Sequence, residues 1–243
     1  MNRTIIKAYK KEDAFSYAAG AYAVIELLES CPAQAEEVFL HPEFEDRIRL
    51  AERCARLGIP VHHGAEAFRR INQKENTYVA ASFRKREGQL RPNRPHLALV
   101  NPADMGNLGT ILRTAAAFSL TDVAVITPAA DIFHPKTVRA SMGAIFRLNL
   151  RCYEDFGDYR AEFPAHACYP FALEGAGLET ALEAETPRFV LLFGNEATGL
   201  PPELAEMGFP VKIAQSELVD SLNLSVATGV GIHAFARRYG LIR

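Results

Sequence analysis

Glu196, Ser221 and Asn223 are compact polar side chains close to apolar runs. Glu196 lies in Gly194-Asn195-Glu196-Ala197-Thr198-Gly199, after Phe189-Val190-Leu191-Leu192-Phe193. Ser221 and Asn223 lie in Asp220-Ser221-Leu222-Asn223-Leu224-Ser225, after Phe209-Pro210-Val211-Lys212-Ile213. Polar groups this close to buried segments need hydrogen-bond partners from protein or ligand, so they mark a site without naming it. Upstream, Leu97-Ala98-Leu99-Val100 runs into a polar loop carrying Asn107, and a helical pattern then carries Arg113 early in its length. A helix dipole disfavours a cation there, so Arg113 either faces a carboxylate or phosphate or is an ordinary surface arginine. Gly106 and Gly109 lack the GxGxxG spacing, which removes the main support for a nicotinamide dehydrogenase.

These residues need strands to hold them. Strand, glycine loop, strand, polar turn and helix is the order in which a parallel α/β protein displays a ligand at the carboxyl ends of its strands. The 243 residues accommodate one large or two modest domains, and 49% apolar with 23% charged residues is ordinary for a globular protein. No signal-peptide pattern opens the chain and no apolar run reaches membrane-spanning length. Cys31, Cys54, Cys152 and Cys168 lack metal spacing and read as reduced thiols, so a cytoplasmic protein without metal or membrane is expected. The net charge of -2 offers no overall attraction for nucleic acid, and any such partner must meet a local patch.

The periodicity predicts a helix over Phe15 to Leu28, a strand at Glu37 to Leu40, a helix ending near Leu57 and a strand at Ile59 to His62. A short helix at Ala65 to Ile71 and a strand at Thr77 to Phe83 complete a small α/β domain. His62 and His63 have no third ligand nearby and read as structural or solvent-exposed, and Asn72 to Asn76 as a connecting loop or a contact surface. Arg84, Lys85, Arg86, Arg91 and Arg94 form the strongest cationic cluster, with Arg69 and Arg70 as an extension. It is either a solvated connector, punctuated by Gly88, Pro92 and Pro95, or a phosphate-contact strip. Beyond it, Val123 to Ile126 reads as a strand, Tyr153 to Phe163 as a helix and Ala167 to Phe171 as a strand. His134 caps or packs before Pro135, and the small residues of Ser141 to Ala144 allow close backbone approach, in packing or against a ligand. Glu174, Glu179, Glu183 and Glu185 read as solvated surface.

Three blocks together resemble the SpoU/TrmH branch of the SPOUT RNA methyltransferases. They are Asn107-Leu108-Gly109-Thr110-Ile111-Leu112-Arg113, Leu192 to Gly199, and Ser221 to Ala227; Ser141-Met142-Gly143-Ala144 is a fourth, weaker match. The likeness spans about residues 95 to 240. The first ninety residues resemble the family's small ribosomal-protein-L30e-like domain in size, element order and the turn-strand at Asn72 to Phe83. The resemblance implies an α/β fold: an L30e-like RNA substrate-binding domain over 1–90, with a basic linker at its end, then a SPOUT-type methyltransferase domain over 91–243 with a deep trefoil knot at about 189–239. It also implies an S-adenosylmethionine-dependent homodimer that methylates a ribose 2'-hydroxyl of structured RNA, rRNA or tRNA.

By the same resemblance, Arg113 matches the family's catalytic arginine, Asn107 the asparagine that shapes its loop, Glu196 the carboxylate that orders the site, and Ser221 and Asn223 the third-motif pair. The cofactor contacts fall on Leu192, Phe193, Gly194, Asn195, Gly199, Ile213, Ala214, Gln215, Leu222, Asn223 and Ser225. RNA contacts fall on Arg84, Lys85, Arg86, Arg91, Arg94 and Arg113. An arginine keeps its proton at ordinary pH and is a poor base, so Arg113 reads on chemical grounds as a phosphate and oxyanion organiser, direct proton abstraction being what the family resemblance implies. Two departures stand out. Ala103-Asp104-Met105-Gly106 lengthens the loop between Pro102 and Asn107, with Asn101 where many members carry aspartate, and Ile213-Ala214 replaces the common Ile-Pro. The alternative reading is an RNA-binding homologue with little or no methyltransferase activity, acting in ribosome or RNA maturation.

Overall fold

The computed structural model describes residues 7–65, 68, 77–183 and 186–242. In chain order its first elements are β1 (Phe15–Ala19), α1 (Ala21–Ser30), β2 (Ala35–Leu40), α2 (Arg47–Leu57), β3 (Val61–His63) and β4 (Val79–Arg84). There follow β5 (His96–Val100), α3 (Met105–Ala117), β6 (Asp122–Ile126), α4 (Pro135–Ala140), β7 (Asn149–Tyr153), α5 (Phe156–Glu162) and β8 (Ala167–Gly177). The chain ends through α6 (Leu178–Ala181), β9 (Phe189–Phe193), α7 (Pro202–Ala205), β10 (Val211–Lys212) and α8 (Leu224–Arg238). The described residues form two compact units: those up to Arg86 together with Asp131–Arg147, and Glu87–Ala130 together with the chain from Leu148 onward.

In the first unit a sheet runs β1-β4-β2-β3, with β4 antiparallel to β1 and β2, and β2 parallel to β3. The helix expected over Phe15 to Leu28 is corrected here. Phe15–Ala19 pairs with Arg84 to Ala80 as a strand, and α1 starts only after Gly20, whose φ is 98°. Pairing with β4 overrides the helical spacing, because Ser16 to Ala19 are buried on both sides. Asp131–Arg147 falls in this unit, although the sequence reading placed it in the second domain. The reason is local packing. At Gly143 a Cβ would stand 2.7 Å from the Cβ of Glu26 and 2.9 Å from the Cα of Ala23, and Arg147 pairs with Glu26. The small residues of that block therefore serve contact with α1. The loop at Asn72 to Asn76, most of the helix expected from Ala65, Arg69, Arg70 and Glu185 lie outside the described residues.

The second unit is a parallel sheet in the order β10-β8-β9-β5-β6-β7. β5, β6 and β9 are buried along their whole length, which is why Leu97 to Val100, Val123 to Ile126 and Phe189–Phe193 read as unbroken apolar runs. Two elements differ from expectation. Asn149–Tyr153 is a strand, the following helix beginning only at Phe156 with Asp155 as its cap, and β8 continues past Phe171 to Gly177. From β5 the chain builds β6 and β7 on one side and then places β9 on the other. That reversal between β5 and β9 opens a crevice at their carboxyl ends, the usual ligand position in such sheets.

Candidate functional site

Two loops meet across the β5–β9 reversal. The first follows β5 through Asn101 to Asp104 and enters α3, whose first turn is capped by Asp104 Oδ1 accepting from the Asn107 amide at 2.8 Å. Asn101 adopts a φ of 53°, a left-handed conformation asparagine tolerates. The second loop follows β9. Asn195 and Gly199 exchange two backbone hydrogen bonds of 3.0 Å, and Asn195 Oδ1 accepts from the amides of Ala197 and Thr198 at 2.8 and 3.2 Å. Only glycine fits at position 194, where a Cβ would lie 2.2 Å from the Gly199 carbonyl carbon.

Side chains stitch the loops together. Asn195 Nδ2 donates to the Asn101 carbonyl at 2.8 Å. The Glu196 carboxylate accepts from the amides of Ala103 (2.9 Å) and Asp104 (3.1 Å) and from Asn107 Nδ2 (3.2 Å). Asn107 Oδ1 in turn accepts from Asn223 Nδ2 at 3.2 Å, and Asn223 Oδ1 caps α8 through the Ser225 amide at 2.9 Å. Burial alone would raise the Glu196 carboxyl. The amides of Ala103, of Glu196 itself and of Asp104, with the Asn107 side chain, outweigh it and hold the group below the usual carboxylate range. The lengthened loop between Pro102 and Asn107 thus supplies two of the donors that keep Glu196 ionised.

Beside this network lies a cavity of about 520 Å³, a size suited to a nucleoside-like ligand. One wall is the stacked ring pair Phe171 and Phe193, with centroids 4.3 Å apart. Gly194, Asn195, Glu196, Gly199, Ile213, Gln215, Ser221 and Leu222 also line it. Leu192 packs instead into the apolar core beneath, and Ala214, Asn223 and Ser225 are outside the lining. Phe171, Leu173, Glu174 and Ala227 also line the cavity, none of them named from sequence as a cofactor contact. Phe171 was legible as the end of an apolar strand, whereas Glu174 read as solvated surface and enters the lining because β8 continues to Gly177.

Arg113 is exposed on α3 and makes no hydrogen bond or ion pair among the described residues. Six residues after Asn107, it leaves the helix about 120° away from that side chain, so it stands outside the Glu196–Asn107–Asn223 line. The basic cluster divides between the two units. Arg84 pairs with Glu36 at 3.3 Å, Lys85 donates to the Lys11 carbonyl at 2.7 Å, and Arg86 is exposed. In the second unit Arg94 is exposed, whereas Arg91 grips fully buried Asp122 through Nε and Nη2, the shortest contact being 2.6 Å. Burial alone would raise the Asp122 carboxyl, but hydrogen bonds from Arg91 and Asn149 hold it low. Arg91 is thereby engaged at the amino ends of β6 and β7, at the opposite end of the sheet from the cavity.

Comparison with known proteins bears on this geometry. The model of the SpoU rRNA Methylase family matches residues 94–233. Over 69% of its length the chain is 31% identical to the 23S rRNA (guanosine(2553)-2'-O)-methyltransferase of Bacillus subtilis, of which it covers 68%. It is 32% identical over 57% of its length to ribosomal RNA small subunit methyltransferase G 2 of Syntrophobacter fumaroxidans, but spans only 26% of that protein. An AdoMet-bound rRNA methyltransferase from Sinorhizobium meliloti superposes with a TM-score of 0.78 at 27% identity, over 92% of this chain and 87% of that one.

Proposed function

The chain belongs to the SpoU rRNA Methylase family, and we propose that it transfers a methyl group from S-adenosylmethionine to a ribose 2'-hydroxyl of ribosomal or transfer RNA. The observation that carries this reading is the hydrogen-bonded line Asn223–Asn107–Glu196 beside a nucleoside-sized cavity at the strand ends. The cavity residues fit the donor: an aromatic and aliphatic wall from Phe171, Phe193, Ile213 and Leu222, with backbone and amide groups of Asn195 and Gln215 among them. When bound, S-adenosylmethionine supplies a sulfonium methyl that is already electrophilic.

The protein's own residues then align the acceptor. Glu196 fixes the β9 loop against the entry to α3, and Asn107 and Asn223 hold the starts of α3 and α8 in register. Ser221 meets substrate or donor at the cavity. Arg113, too basic to accept a proton at neutral pH, grips an RNA phosphate and steadies the negative charge that develops on the ribose oxygen as its proton passes to water. Arg84, Lys85, Arg86 and Arg94 add phosphate contacts. The finer parts of the proposal are a trefoil knot over about 189–239, an L30e-like first unit that selects RNA, and a homodimer. Val226 and Val230, 51% and 38% exposed, share one face of α8 with exposed His233 and Arg237 and offer an apolar stripe to a second copy.

Calorimetric titration of the folded protein with S-adenosylmethionine should give saturable binding, and mass spectrometry of treated ribosomal and transfer RNA should show a new 2'-O-methyl nucleoside. Folded protein that binds no donor would end the enzyme reading. Donor binding without transfer to either RNA class would favour the RNA-binding homologue.

A further inference from the structure

The first unit carries a groove between α1 and α2 with a volume of about 300 Å³. Ile25, Phe44 and Leu50 give it an apolar floor, and Arg49, Arg53 and Arg56 line one side. The arginines recur at i, i+4 and i+7, so α2 presents them as one row. Glu29 and Asp46 also reach the groove. Arg53 is spent on Glu29 at 3.1 Å. Arg49 and Arg56 are exposed and make no hydrogen bond or ion pair among the described residues. They stand ~10 Å apart along the helix. Phe44 is half-buried, and Tyr22, one turn before Ile25 on the same side of α1, is 70% exposed.

We propose that this groove binds the substrate RNA, with Arg49 and Arg56 each holding a backbone phosphate and Phe44 stacking an unpaired base. The inference rests on the methyltransferase reading for the identity of the partner. Two features favour RNA over an acidic protein segment. Guanidinium forks match phosphate oxygens two at a time. Aromatic faces beside a cationic row are how single-stranded RNA is held without sequence-specific contacts. The basic cluster after β4 lies elsewhere in the sequence, so the α2 row adds contacts to it.

The test compares the full-length protein with R49Q/R56Q, R49K/R56K and F44A by filter binding of protein-free ribosomal RNA across a salt series. Loss of two phosphate contacts should reduce the slope of log affinity against log salt by about 1.5 to 2 and weaken binding about tenfold near physiological salt. R49K/R56K should keep the slope. F44A should lose about fivefold or more in affinity with the slope unchanged, as for a stacking contact. S-adenosylmethionine affinity and the melting temperature should be unaltered in the arginine variants. An R49Q/R56Q slope equal to that of the unmodified protein overturns the proposal, as does binding of a poly-glutamate peptide that is lost in R49Q/R56Q while RNA binding is retained. Because binding is read without turnover, a protein that holds RNA through this row yet methylates none would overturn the enzymatic reading and leave the groove standing.

Discussion

Glu196 joins two loops that are distant in sequence. Replacing it with alanine leaves the amides of Ala103 and Asp104 and the Asn107 side chain without their acceptor. We expect Glu196→Ala to cost about 1–3 kcal/mol in chemical unfolding and to weaken donor binding, and Glu196→Gln to cost less, since one amide oxygen still accepts. Because the native carboxyl is held low, this contribution is complete above the ordinary carboxylate range and disappears as acid drives pH through the lowered value. Arg113 makes the contrasting case. With no partner among the described residues, its removal should leave stability and donor affinity intact while lowering kcat/KM for RNA by about 100-fold or more. Undiminished turnover by Arg113→Ala would refute its assigned part.

At the scale of elements, the parallel sheet separates two duties. Its carboxyl ends hold the cavity and its amino ends hold the buried polar clasp of Arg91, Asp122 and Asn149. Arg91→Ala strands a carboxylate that is fully buried at the start of β6, and a loss of about 3 kcal/mol is expected, at the low end for buried pairs because the arginine is half open to solvent. The double change Arg91→Ala with Asp122→Asn should recover part of it; a double variant no more stable than Arg91→Ala would show that the charge is not what costs. RNA affinity should fall far less in Arg91→Ala than in a variant lacking Arg84, Lys85 and Arg86. At the other end, Gly194→Ala forces the β9 loop open, since the added carbon would sit at 2.2 Å from Gly199. Donor binding should drop at least tenfold, and an unchanged titration would mean that the loop is not part of the donor pocket.

For the molecule as a whole, acid sensitivity should trace to a histidine pair at the same end of the sheet as Arg91. His96 and His166 stack with ring centroids 4.2 Å apart. His96 Nε2 meets the Arg91 carbonyl at 3.0 Å, which can only accept, so this nitrogen carries the proton and Nδ1 accepts from the Tyr159 hydroxyl. Burial lowers both rings, His96 to about 4. Unfolded histidine titrates near 6.5, so between those values the unfolded chain binds protons that the folded chain refuses. Stability is therefore complete above pH 6.5 and falls towards pH 4, by ~3 kcal/mol from His96. Urea midpoints measured at pH 7 and pH 5 should differ accordingly, and equal midpoints would remove the pair from the account. Association is the other whole-molecule property. V226E/V230E should shift a dimer towards monomer in light scattering, and an unaltered mass would place the contact elsewhere.

Unbroken apolar runs declared β5, β6 and β9 and the loops behind them, because a strand buried on both faces has no polar alternation to obscure it. The blocks around Asn107, Glu196 and Asn223 were legible for a related reason: residues that must accept, donate and cap within a few ångströms leave little choice of side chain. Helical spacing misled at Phe15 to Ala19, where pairing with β4 decides, and β8 hid its second half in a glycine-punctuated stretch. Only the tertiary structure spent Arg91 on Asp122 and carried Asp131–Arg147 to the first unit. Sequence records which groups can bond, and those outcomes depended on which partners the folded chain brings within reach.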